Sequence, residues 1–157
     1  MPVIVIGADT AVGEIAIDQL RSHDREIRAF VSDRGVASGL RDRGIRVAVG
    51  DVSDGSHLSG AAVGCFSAIV IPEAALDARQ RSFADSSEAT ISTWAAALDE
   101  ASISRLILLE DVRIPGALEM FAGVTAELVV IPTEGRSPTD IAIEVARVDD
   151  LDSLTEV

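Results

Sequence analysis

The sequence predicts an α/β domain: a doubly wound, mainly parallel sheet of five or six strands with helices on both faces. Three observations carry that expectation. Strand-like and helix-like segments alternate through the first half with short connections between them. The strand-like segments are continuous aliphatic runs, as in strands buried on both faces. A turn bearing two glycines, Gly7-Ala8-Asp9-Thr10-Ala11-Val12-Gly13, joins the first such run to the first helical segment.

Val3 to Ile6 is the first strand and ends at Gly7. From Ala11 the hydrophobic period becomes helical and places Val12, Ile15, Ala16, Gln19 and Leu20 on one face, so that Ile15 and Leu20 should be buried. Glu26 to Val31 is the second strand, and Val36 to Arg43 a short helix stopped by Gly44. Arg46 to Val49 is the third strand, followed by Gly50-Asp51-Val52. His57 to Val63 forms a brief helix, and Cys65 to Ile71 a fourth strand stopped by Pro72. Residues 73–83 read as a loop or a frayed turn.

Asp85, three residues before Glu88, suits a capping box. The helix that it opens carries Ile91, Trp94, Ala95, Leu98 and Ala101 on one stripe. That stripe suits packing against the sheet first, and pairing with a second copy or a protein partner second. Arg105 to Leu109 is the fifth strand and ends at Glu110-Asp111. A short helix at Ala117 to Ala122 leads to a sixth strand, Leu128 to Ile131. Ser137, Pro138 and Asp140 suit the opening of a last helix, although Ile141, Ile143 and Val145 also alternate like a strand. There is no repeat or low-complexity linker, so residues 1–157 read as one domain.

Composition narrows the chemistry. Hydrophobic residues make up 48% of the chain and aromatics only 3%, so the core is aliphatic. Tyr is absent and every basic residue is Arg, which removes any phenol, Lys base or Schiff base. A formal net charge of −13 repels phosphate backbones. Arg41, Arg43 and Arg46 form no basic patch because Asp42 interrupts them, and nucleic acid is excluded as a partner. Cys65 is alone and lies in an apolar run, as a buried inert thiol would. His23 and His57 lack metal-ligand spacing and suit surface or capping roles, so no metal is expected. The chain enters its first strand at once, with no basic region and long apolar segment before it. A cytoplasmic protein with no membrane span is expected.

Glycines in a strand-to-helix turn serve a tight bend, backbone approach to a pyrophosphate, and close helix packing, with the pyrophosphate on the helix N-terminus. The segment from Gly7 to Gly13 resembles the glycine-rich turn of atypical short-chain dehydrogenases and NmrA-like NAD(P)-binding proteins, which carry a Gly-x-x-Gly-x-x-Gly pattern on a Rossmann domain. Gly7 and Gly13 match the first and third glycines, and Thr10 replaces the middle one. Its side chain would crowd a phosphate, while its hydroxyl could donate to one or cap the helix. Asp9 adds negative charge beside it. Two readings stay open: a turn that still binds NAD or NADP weakly, and a turn that keeps only its structural part.

The resemblance implies more along the first 110 residues. Ser32-Asp33-Arg34 follows the second strand, where a carboxylate holds the ribose of NAD or an Arg takes the extra phosphate of NADP. Asp33 has the spacing of the acid and Arg34 leaves the choice open, since the family's Arg lies nearer Ser32. Asp51 and Val52 match a segment against the adenine, and Ile71 would border the nicotinamide. The implied cofactor-facing set is Gly7, Asp9, Thr10, Val12, Gly13, Ser32, Asp33, Arg34, Asp51, Val52 and Ile71.

The family's catalytic parts have no counterpart. Short-chain dehydrogenases place a Ser after the fifth strand and a Tyr-x-x-x-Lys pair on the next helix, where this chain has Glu110-Asp111 and a helix shortened to Ala117–Ala122. No substrate lobe follows the sixth strand, and the family's Arg-Pro-Gly turn is Ile131-Pro132-Thr133. The resemblance thus implies a pseudoenzyme, with no catalytic residue assigned, acting as a nucleotide-responsive or protein-interaction module. The alternative is an oxidoreductase or epimerase-like enzyme using Glu110, Asp111 or His57 as its acid or base.

Overall fold

The computed structural model describes residues 2–22, 25–77 and 81–151; His23 lies outside them. Six strands form one sheet: β1 (Val3–Ile6), β2 (Ile27–Val31), β3 (Arg46–Val49), β4 (Ser67–Val70), β5 (Arg105–Leu109) and β6 (Glu127–Ile131). All pairs are parallel and the spatial order is β3-β2-β1-β4-β5-β6. The order reverses at β1, which is the switch point of a doubly wound Rossmann sheet.

Alternation along β1 sends its side chains to two cores. Val3 and Val5 pack with α1 (Ala11–Arg21), α2 (Arg34–Asp42) and α6 (Pro138–Asp149). Ile4 and Ile6 pack with α3 (Gly55–Ala62), α4 (Ser87–Glu100) and α5 (Ala117–Ala122).

Capping side chains set where five of the helices start. Thr10, Asp33, Asp54, Ser86 and Ser137 each accept a backbone N–H of the first turn. Each such cap contributes about 1 kcal/mol. Asp33 and Asp54 therefore start α2 and α3 two residues earlier than hydrophobic period alone indicates. For α4 the cap is Ser86, not Asp85; its hydroxyl accepts from Ala89, so Glu88 completes no capping box. Of the two readings open for residues 73–83, the turn is the one found at their start: Pro72–Leu76 form a short 3-10 helix.

Two burial expectations change. Ile15 is only half-buried and Ile17 takes the core position, because Val12, Ala16 and Leu20 share their face with Gly13 and Ile17. The final segment is a helix, not a strand: Ile141 and Val145 are buried one turn apart while Ile143 is exposed. Trp94 is wholly buried and its indole N–H donates to the Val52 carbonyl at 2.6 Å. The stripe on α4 is thus core and offers no surface for a second copy.

At the N-terminal edge of the sheet, Arg105 is fully buried yet fully engaged. Its guanidinium donates to the carbonyls of Val148 and Asp149 at 3.3 and 3.1 Å, to Leu151, and to the Glu127 carboxylate. It also lies 5.2 Å from the Phe66 ring centre. Cations are stabilised at helix C-termini, where carbonyls are left over. The Asp149 carboxylate accepts from Arg25 and Ser67. This clasp fixes the end of α6 to β4 and β5, and directs the start of α6 toward the opposite, C-terminal edge.

The start of α1 is set by glycine. Gly7 has φ +95°, a conformation that L side chains avoid. A Cβ on Gly13 would lie 2.1 Å from the Gly7 carbonyl oxygen and 2.8 Å from Ala8 Cα, both backbone atoms. Gly13→Ala should therefore destabilise the fold by about 2–3 kcal/mol and lower Tm by about 5–10 °C. Gly39, in the α2 interior with nothing near its absent Cβ, is the control. Gly39→Ala should stabilise by about 0.5–1 kcal/mol. Urea unfolding measures both, and a neutral Gly13→Ala would refute the packing constraint.

Candidate functional site

The residues of the implied cofactor set gather along one edge, in the loops that follow β1, β2, β3 and β4. Thr10, Asp9, Asp33 and Asp51 are already hydrogen-bonded within the chain. Thr10 donates its hydroxyl to the Gly7 carbonyl at 2.6 Å and accepts the Gly13 N–H at 3.1 Å. The cap role foreseen for its hydroxyl is the one it takes. The Glu14 N–H goes to the Thr10 carbonyl. Among the described residues, Ala11 and Val12 are left as the unpartnered donors of this first turn.

Asp9 does not face the start of α1, where its charge would oppose a pyrophosphate. One of its carboxylate oxygens accepts from the Ser32 N–H at 3.2 Å, the Ser32 hydroxyl at 3.4 Å and the Asp33 N–H at 3.3 Å. Parallel pairing makes this possible. Ile6 is level with Phe30, and the Gly7 N–H continues the ladder to the Phe30 carbonyl, so the two loops leave the sheet side by side. Asp33 in turn caps α2 through Gly35 at 2.8 Å, and Arg34 is exposed beside it.

In the loop after β3, Asp51 ties down the 82–83 segment. Its carboxylate accepts from the Ser53 N–H at 2.8 Å and the Ser82 N–H at 2.6 Å, and Ser53 Oγ accepts from Phe83 N at 2.8 Å. Burial by itself would raise the Asp51 carboxyl; the donors from Ser53 and Ser82 outweigh it and hold the group below its usual value. Val52 is buried. The His57 ring covers Gly50, where a Cβ would fall 2.4 Å from Nδ1, and meets Phe30 edge-on at 5.5 Å.

Two cavities open at the far half of the edge. One, of about 280 Å³, lies between Val12, Ile71, Glu73, Glu110 and Arg113. The other, of about 290 Å³, is lined by Leu109, Val112, Ile114, Leu118 and Val130, and Glu110-Asp111 borders both. Asp111 is gripped by Arg113, with Nε at 2.8 Å and Nη2 at 2.6 Å. That hydrogen-bonded guanidinium lowers the Asp111 carboxyl despite partial burial, and the Asp111 carboxylate in turn raises Arg113. An ionised, paired carboxylate is a poor acid and a weak base at neutral pH. Glu110 is exposed at the end of β5. His57 lies next to β3, four strands away, or about 19 Å at the usual spacing. Glu110 and Asp111 are therefore together at the cavities, and His57 is not brought to them.

Cys65 is buried and burial pushes its thiol up, as an inert core cysteine requires. Among the described residues no three His, Cys, Asp or Glu side chains cluster to hold a metal, and no helix is long and apolar enough to cross a membrane.

No protein-family model matches the sequence, and no curated protein matches it either. Solved structures do resemble it. An anaerobilin reductase from Escherichia coli superposes with a TM-score of 0.75 at 15% identity, over 98% of this chain and 93% of that one. A triphenylmethane reductase from Citrobacter gives 0.76 at 16%, over 98% and 66%. An NADPH-dependent quinone oxidoreductase from Escherichia coli, solved with NADPH, gives 0.79 at 16%, over 96% and 65%. The chain thus spans about two thirds of the last two and nearly all of the first. At these identities the likeness establishes the Rossmann fold.

Asp51 generates a pH prediction. Its carboxyl is held below 3.8 in the folded chain, so the stability that it contributes is present above that value and is lost as pH falls through the folded one. Asp51→Asn should cost about 1–2 kcal/mol at neutral pH. That deficit should shrink below about pH 4, where the natural side chain protonates too. Urea unfolding at neutral pH and at about pH 3 checks this; an equal deficit at both contradicts it.

Proposed function

We propose that this chain is a Rossmann NAD(P)-binding module without acid–base catalysis, which takes a dinucleotide weakly and acts as a nucleotide-responsive or protein-contacting unit. The observation that supports this is Thr10. Its hydroxyl closes the glycine turn on itself, and its β-branched side chain stands where the Gly-x-x-Gly-x-x-Gly pattern leaves room for a phosphate. One lost close contact of this kind costs about 1–2 kcal/mol, or roughly ten- to thirtyfold in affinity. The residues still fit the cofactor in part: Ala11 and Val12 would hold the pyrophosphate, and Ile71 would border the nicotinamide, which supplies a hydride when bound. The chain has neither Tyr nor Lys, and Asp111, held by Arg113, is poorly suited to move a proton on a substrate carbonyl.

A second reading rests on the paired cavities beside Glu110 and on the resemblance to a reductase over 93% of that reductase's length. The resembling proteins are named for anaerobilin, triphenylmethane dyes and quinones. Hydride transfer to a triarylmethyl cation yields a neutral product with no proton required, and a quinone yields an anion that water protonates. Chemistry of that class needs positioning more than an acid. The mostly apolar cavity of about 290 Å³ suits part of such an acceptor.

Calorimetry with NADH and NADPH tests the first reading. The natural chain should bind in the high-micromolar to millimolar range, and Thr10→Gly should bind about tenfold more tightly. Silence from both proteins would reduce the site to a structural relic. Turnover assays with an aldehyde, a quinone and a triarylmethane dye separate the two readings. No turnover of any acceptor supports the binding module, and dye or quinone turnover alone establishes the reductase. Aldehyde turnover abolished by Glu110→Gln would defeat both.

A further inference from the structure

We propose that Asp9 is a built-in anion that occupies the place of the 2′-phosphate of NADP, so that the site discriminates for NADH against NADPH. This rests on the dinucleotide-binding reading above and adds a specificity-determining residue to it.

Three donors converge on one oxygen of Asp9: two consecutive backbone N–H groups, at Ser32 and Asp33, and the Ser32 hydroxyl, all at 3.2–3.4 Å. Consecutive N–H groups of this kind form an anion-binding concavity. This one lies directly after β2, which in a Rossmann fold is where the adenosine ribose and any phosphate on it are received. The exposed Arg34 guanidinium stands next in sequence. These donors make an anion site, and the chain fills it with its own carboxylate.

Asp33 has the spacing of the usual discriminating acid, but one of its oxygens caps α2 through Gly35. The negative charge that meets the pocket's donors comes instead from the glycine turn, brought within reach by the parallel register of β1 and β2. A bound 2′-phosphate would have to displace Asp9 or sit within a few ångströms of it, and like charges that close in a half-buried loop repel strongly. A ribose carrying only hydroxyls places no such charge there and can donate to the carboxylate.

NADH and NADPH differ only in that phosphate, so the ratio of their dissociation constants isolates it. Calorimetry on the natural chain, Asp9→Ala and Asp9→Asn, all carried in the Thr10→Gly background for affinity, reads the ratio directly. Asp9→Asn keeps an acceptor for the loop tie while removing the charge, so it stays informative if Asp9→Ala loosens the fold; circular dichroism checks both. The parent should favour NADH at least tenfold. Each substitution should shift the ratio at least tenfold toward NADPH, with NADPH bound more tightly than by the parent, and added salt should narrow the difference between parent and variants. A parent that prefers NADPH, or a ratio unmoved in both variants, would overturn the inference and leave Asp9 as a loop tie alone. Failure of every variant to bind either nucleotide would overturn the dinucleotide reading itself, and this inference with it.

Discussion

The contact on which the molecule depends is the approach of Gly13 to the Gly7 carbonyl. It seats α1 on the end of β1 at a distance that no side chain tolerates. The positions of α6, which packs on α1, and of the cavity between their N-termini follow from it. This explains which glycines the turn contains. Gly7 is needed for a positive φ and Gly13 for backbone contact, so both are demanded by the fold with or without a ligand. The middle position of the pattern carries no such demand. There the chain has Thr10, which uses its hydroxyl to brace the other two.

The two edges of the sheet divide the work. At the N-terminal edge the Arg105 and Asp149 clasp is buried, charged and fully hydrogen-bonded. Within this edge the nearly buried Arg25–Asp149 ion pair adds little net stability over an apolar equivalent but is expensive to break, and it holds one arrangement of α6 over others. At the C-terminal edge the polar groups are satisfied by partners within the chain: Thr10 by Gly7, Asp9 by Ser32, Asp51 by Ser53 and Ser82. Such an edge keeps its shape without a ligand. A dinucleotide must then compete with contacts already made, which is the physical basis of weak binding.

Much of the fold was legible because aliphatic runs of strand length and a helical period are local properties. The six strands, the glycine turn and the final Ser137-Pro138 helix start are of this kind. Helix starts were less legible. Asp33, Asp54 and Ser86 cap by hydrogen bonds that a neighbouring residue could equally have made, as Asp85 shows. Ile15 and Ile17 differ by two positions on one helix, and only the sheet beneath decides which is covered. Contacts that depend on register across the sheet left no local signal. Asp9 read as a charge near a phosphate, yet it faces Ser32, twenty-three residues away. Arg105 read as the polar start of a strand, yet it is the buried anchor of α6.

Amide hydrogen exchange on the ligand-free chain tests the central claim, that the glycine turn and the end of β2 are closed by their own side chains. The amides of Gly13, Ser32 and Asp33 should be protected without nucleotide, and Asp9→Ala should release Ser32 and Asp33 while leaving Gly13 protected. Rapid exchange at all three in the free protein, slowed only when dinucleotide is added, would contradict it.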